Sequence, residues 1–109
     1  MNLSNAVEFY SCLIAIMEHY GYDHQVYEKL PEEVDELQEA FDAYFDKPSP
    51  EHWHHVVEEA ADVHIMLEQF QMLITPEDKA EFDKICMNKL HRLALIKSLP
   101  RNRLADGDA

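Results

Sequence analysis

The amino-acid sequence predicts an all-α fold, a four-helix bundle-like domain, on three observations. Only 2 of the 109 residues are glycine while 47% are apolar, a balance that favours long helices over a turn-rich β fold. Apolar residues recur at spacings of three and four through most of the chain, the period of a single helix face. Two stretches, Ser49-Pro50-Glu51 and Thr75-Pro76-Glu77-Asp78, combine a capping hydroxyl with a first-turn proline and acid, the signature of a helix start. One domain is expected over residues 1–100, with a polar tail over 101–109. A core of this size leaves a lone chain little margin, so a homodimer or homotetramer is expected.

The first helix follows from Leu3, Val7, Tyr10, Ile14 and Met17. Ser4 is placed to cap its start near residue 4, and Gly21 suits the left-handed stop after residue 20. Asp23 can cap the second helix, whose apolar positions are Val26, Leu30, Val34, Leu37, Phe41 and Tyr44. Pro31 interrupts that period and lacks a backbone donor. It either kinks the helix or restarts it as its first residue, with Glu32 and Glu33 favourably in the first turn. Helix three carries Val56, Ala60, Val63, Leu67, Phe70 and Ile74 inward after the Lys47-Pro48-Ser49-Pro50 break. Helix four carries Phe82, Cys86, Leu90 and Leu93 inward and ends at Pro100, with Lys89, Arg92 and Lys97 elsewhere on its surface.

The formal net charge of −13 excludes an extended surface for a nucleic-acid polymer. The N-terminal Met1-Asn2-Leu3-Ser4-Asn5 has no basic signal-like region, and no apolar run is long enough to span a bilayer. A cytoplasmic protein without a membrane partner is expected. Cys12 and Cys86 lack metal-finger spacing and are expected as buried thiols in a reducing compartment, a bridge between the first and last helices being the other option.

Two acidic clusters dominate the middle of the chain, Glu32-Glu33-Val34-Asp35-Glu36 and Glu58-Glu59-Ala60-Ala61-Asp62. Each residue turns a helix by about 100°, which stacks Glu33 with Glu36 and Glu59 with Asp62. Measured from the two apolar stripes, Glu33 and Glu59 fall about 60° to one side and Glu36 and Asp62 about 120° to that same side. An antiparallel hairpin about the Pro48/Pro50 break then brings all four carboxylates within about two helical turns of one another. Solvated glutamates are the ordinary reading of one such pair, whereas two pairs in register point to a common cation. Converging carboxylates repel unless a cation lies among them. Hard oxygen ligands at this density suit Mg²⁺, with Mn²⁺ possible in its place.

The strings His19-Tyr20-Gly21-Tyr22-Asp23-His24-Gln25, Glu32-Glu33-Val34-Asp35-Glu36-Leu37, and Glu58-Glu59-Ala60-Ala61-Asp62-Val63-His64-Ile65-Met66-Leu67-Glu68-Gln69 resemble the MazG-like nucleoside triphosphate pyrophosphohydrolases. The likeness is to their small single-domain bacterial and phage type, and it runs from about His19 to Leu93. It implies an all-α MazG-type domain. It also implies Mg²⁺-dependent hydrolysis of nucleoside triphosphates, deoxynucleotides foremost, to monophosphate and pyrophosphate. By motif position Glu33, Glu36, Glu59 and Asp62 are then the metal ligands, and Lys89 and Arg92 contact phosphate oxygens unless they are simply solvated charges. Gln25 matches the pattern and can pair with a base edge. Two positions depart from it: Pro31 stands where the family's helix is ordinarily uninterrupted, and His64 replaces what is often a charged residue.

Phosphoanhydride hydrolysis also needs a base for the attacking water, and Glu32 or Glu36 is the candidate. Lys29, one turn before Glu33, either reaches a phosphate or pairs with Glu33. His24, Tyr22 or Trp53 can stack on a nucleobase, core packing being their ordinary role. Rival readings are a non-enzymatic acidic helical module that binds a partner protein, a family member that binds nucleotide without turnover, and a di-iron carboxylate bundle. The last draws on the ExxH of Glu51 and His54 and lacks the second ExxH that such bundles carry.

Overall fold

Three hydroxyl or amide side chains and one glycine set the helix boundaries. In the computed structural model, which describes residues 2–96, α1 spans Leu3–Tyr20 and α2 Lys29–Asp46. They are followed by α3 over Pro50–Leu73 and α4 over Pro76–Ile96. A five-residue π turn, His24–Glu28, precedes α2. No strand occurs among the described residues, so the fold is all-α. The polar tail expected over 101–109, the stop at Pro100 and Lys97 lie outside the described residues.

The cap of α1 is Asn2 and not Ser4: its side-chain oxygen accepts from the Asn5 amide at 2.9 Å, so the helix opens one residue earlier than expected. Gly21 ends it as expected, at φ 95° and ψ 142° with its amide donating to the Met17 carbonyl. Asp23 does not cap the next segment. It is already in helical conformation and makes no side-chain cap bond, because the amide of Gln25 reaches back to the Gly21 carbonyl at 3.1 Å. Ser49 accepts from His52 N at 3.0 Å, and Thr75 from Asp78 N at 3.1 Å. Both proline-containing helix starts therefore form as read.

Pro31 neither breaks the helix nor opens it as its first residue; it is the third residue of α2, within its first turn. A proline inside a helix clashes with the carbonyl four residues back and offers it no proton. The chain accommodates this just upstream, where the Lys29 amide bonds the His24 carbonyl five residues back. The wider π turn takes up the conflict.

The chain divides into two compact units, 1–73 and 74–109. In the first, α2 packs along α3, and α1 packs on α3 and the π turn. The tilted ring pair of Tyr44 and Trp53, with centroids 5.2 Å apart, lies near the turn, and the Glu33/Glu36 and Glu59/Asp62 pairs meet farther along. The α2–α3 hairpin is therefore antiparallel. His52 Nδ1 closes it at the turn, 2.6 Å from the Lys47 carbonyl.

The buried positions of this unit differ from the expected stripes. They are Leu13 and Met17 on α1, Gln25 in the π turn, Glu33 and Ala40 on α2, and Val56, Met66 and Gln69 on α3. On α2 and α3 the buried face is thus rotated by about 60–70° from the apolar stripe toward the acidic positions. Val34 and Leu67, expected in the core, are each 46% exposed, and Ala60 and Phe70 are also exposed. The physical reason lies in which faces the two helices turn to each other: the inner line of the hairpin carries the carboxylates, leaving the outer flanks of both stripes uncovered. In the second unit Cys86, Leu90 and Leu93 of α4 are exposed instead of inward. Cys12 and Cys86 are free, exposed thiols and neither buried nor bridged. No described helix is long and apolar enough to cross a membrane.

Candidate metal centre

Rotation of the buried faces places the acids at the α2–α3 seam. Glu33, Glu36, Glu59 and Asp62 each offer an oxygen, and the four oxygens all lie within 4.8 Å of one another. These are the four positions that helical register selected. Glu33 is 6% exposed and Glu59 half-buried, while Glu36 is open to solvent. The Oε2 atoms of Glu33 and Glu59 are buried without a hydrogen-bond partner.

Desolvation pushes the Glu33 carboxyl above its ordinary value, the charges of Glu36 and Asp62 add to this, and Lys29 works against it. Glu59 is raised in the same way, first by desolvation and then by Glu36 and Asp62, with His55 opposing. Two buried carboxylate oxygens without donors, in a group that resists ionisation, fit a divalent cation with oxygen ligands.

The remaining predicted residues divide. Lys29 pairs with both Glu33 Oε1 and Glu32 Oε2, each at 3.5 Å, which raises its own pKa; it borders the cluster. Glu32 is not brought into the cluster. Its side chain is 64% exposed, because one residue before Glu33 means about 100° around the helix. Gln25 is buried in the π turn, which packs against α1, α2 and α3. Lys89 and Arg92 belong to the second unit, where they line one groove of α4 with Ile85 and Asn88.

Of the residues considered for stacking, His24 bonds Glu28 at 3.1 Å, Tyr22 is exposed, and Trp53 lies against Tyr44 while remaining 49% exposed. The ExxH of the di-iron alternative points away from the acids: His54 pairs with Glu58 at 3.1 Å, and both side chains are exposed.

Three residues near the site were not singled out by sequence. His55 Nε2 lies 3.7 Å from Glu59 Oε1, and the signal was available, since His55 stands one turn before Glu59 on the same face. His64 was left without a role and packs toward α1, its ring 6.3 Å from Phe9 and Nε2 3.8 Å from Glu68. Gln69 is fully buried, with neither Oε1 nor Nε2 hydrogen-bonded; it stands two turns beyond Asp62 on the acidic face of α3. No protein-family model matches the chain, and no curated protein or solved structure shows significant similarity to it.

Proposed function

We propose that this protein is a nucleoside triphosphate pyrophosphohydrolase of MazG-like type, cleaving its substrate to monophosphate and pyrophosphate. The observation that carries this is the convergence of four carboxylate oxygens within 4.8 Å, with the Oε2 atoms of buried Glu33 and half-buried Glu59 lacking any hydrogen-bond partner. Glu33, Glu36, Glu59 and Asp62 hold Mg²⁺, for which Mn²⁺ can substitute. When bound, the cation neutralises triphosphate charge and lowers the pKa of the attacking water.

The chain's own groups supply the rest. Lys29 steadies Glu33 and, freed from Glu32, is within a side chain's reach of a phosphate oxygen. Glu36 is a solvent-exposed member of the cluster, which suits it to accept the proton of the attacking water. Glu32 is the lesser candidate, because it faces solvent beside Lys29. Lys89 and Arg92 line one groove of α4 with Ile85 and Asn88, and their assignment to phosphate oxygens rests on the family resemblance alone. Deoxynucleotides remain the expected substrates.

The same proposal includes a homodimer or homotetramer. Apolar side chains such as Ile14, Val34, Val57 and Leu67 are 43–50% exposed in the first unit, surface that a second copy of the chain can cover. The cytoplasm is the expected compartment. The decisive experiment follows pyrophosphate release from a panel of ribo- and deoxyribonucleoside triphosphates with Mg²⁺, with EDTA, and in Glu59→Gln. Mg²⁺-dependent release that the substitution abolishes is the expected result; release from none of the panel, or undiminished release in the variant, refutes the assignment.

A further inference from the structure

Gln69 is the most completely buried residue of the described chain, at 0% exposure, and neither atom of its carboxamide has a hydrogen-bond partner. An amide buried in this state costs stability, and a Leu or Met of similar length would remove that cost, so its presence in mid-helix calls for a reason.

Its position supplies one. Gln69 follows Asp62 by seven residues, which returns it to within about 20° of the same face and sets it about 10 Å along the helix. The antiparallel register that brings Glu59 beside Glu36 and Glu33 beside Asp62, continued two turns, sets Gln69 level with Gln25 and Val26. The π turn that contains Gln25 packs on α3, and Gln25 is its buried residue. Two buried carboxamides thus occupy one level of the molecule, beyond the carboxylates and on the side away from the hairpin turn. The π turn's hydrogen-bond ladder is already shifted by one residue, a feature frequent at functional sites.

We infer that Gln69 is a specificity-determining residue, which with Gln25 forms a subsite for the nucleobase of a nucleotide whose phosphates are held at the carboxylate cluster. The inference rests on the hydrolase assignment above. The separation matches the span of a nucleotide from its α-phosphate to the far edge of its base. A carboxamide offers one acceptor and two donors in a plane, complementary to a base edge that presents a donor beside an acceptor. Bases read in this way are discriminated strongly, because the wrong edge leaves the buried amide unpaired.

The test compares the wild type with Gln69→Leu and Gln69→Met, using the nucleotide panel and, as a substrate with no base, Mg²⁺-tripolyphosphate. Gln69→Leu is expected to lower kcat/KM for the preferred nucleotide about 10- to 100-fold, to flatten the preference among bases and to leave tripolyphosphate hydrolysis unchanged. The melting temperature should be equal to or above that of the wild type. An amide that instead holds a structural water predicts the reverse, a lower melting temperature with base preference intact, and that result overturns the inference. An equal loss on nucleotides and tripolyphosphate overturns it as well, since the base is then not what Gln69 senses. Wild-type protein that hydrolyses no nucleotide removes the hydrolase assignment and this inference together, whereas an active wild type with unaltered preference in both variants removes the inference alone.

Discussion

Replacing Glu59 with Gln removes one of four charges that repel each other across less than 5 Å. The metal-free variant is therefore expected to melt above the metal-free wild type, while losing the stabilisation that Mg²⁺ gives and the catalytic activity. A variant that melts lower without metal and still gains from Mg²⁺ contradicts the cluster's role. The same carboxylates set a pH dependence. Glu33 and Glu59 have pKa values raised above the ordinary 4.5, so through that window the folded state holds more protons than the unfolded one, and stability falls as pH rises. Thermal melting temperatures in EDTA are expected to decline from pH 4.5 upward through the raised values, with a shallower decline in Glu59→Gln and a rise in saturating Mg²⁺, which binds the deprotonated carboxylates. A metal-free melting temperature that climbs across this range speaks against the raised values. Gly21 adds a residue-scale expectation of another kind. Its φ of 95° is costly for any L side chain, though an added Cβ meets nothing within 4 Å, so Gly21→Ala is expected to cost about 1–3 kcal/mol from backbone strain alone.

Among the helices, the caps were legible because they depend on three or four neighbouring residues. Ser49→Ala removes the acceptor for His52 N and is expected to destabilise by about 1 kcal/mol, readable as a lower midpoint in chemical denaturation with an unchanged slope. The cap of α1 was misread by two residues, since Asn2 and Ser4 are both competent caps and local sequence does not choose between them. Pro31 showed the opposite limit. Its incompatibility with a regular helix was plain, but the remedy, a π turn at His24–Glu28, depends on packing against α1 and α3 and leaves no local signature. The rotation of the buried faces is of the same kind. Periodicity gives the angle between acids and apolar residues on one helix, and it does not say which of the two an adjacent helix will cover.

For the molecule as a whole, the uncovered outer flanks of α2 and α3 carry the expectation of self-association. Leu67→Asp or Val34→Asp, each at a position 46% exposed in the single chain, is expected to reduce the mass measured by light scattering while helical content is retained. A wild type that is monomeric at all concentrations refutes that expectation. The sequence by itself determined the all-α class, the starts of α1, α3 and α4 to within a residue or two, and the four clustered acids, since caps, period and the angle between positions are properties of short stretches of chain. Only the tertiary structure decided that the carboxylates face inward while Val34 and Leu67 face outward, and that an unpaired Gln69 lies buried beyond the acids. Those outcomes depend on how two helices are turned about their own axes when they pack, a choice made by the sum of contacts along the seam and by no residue alone.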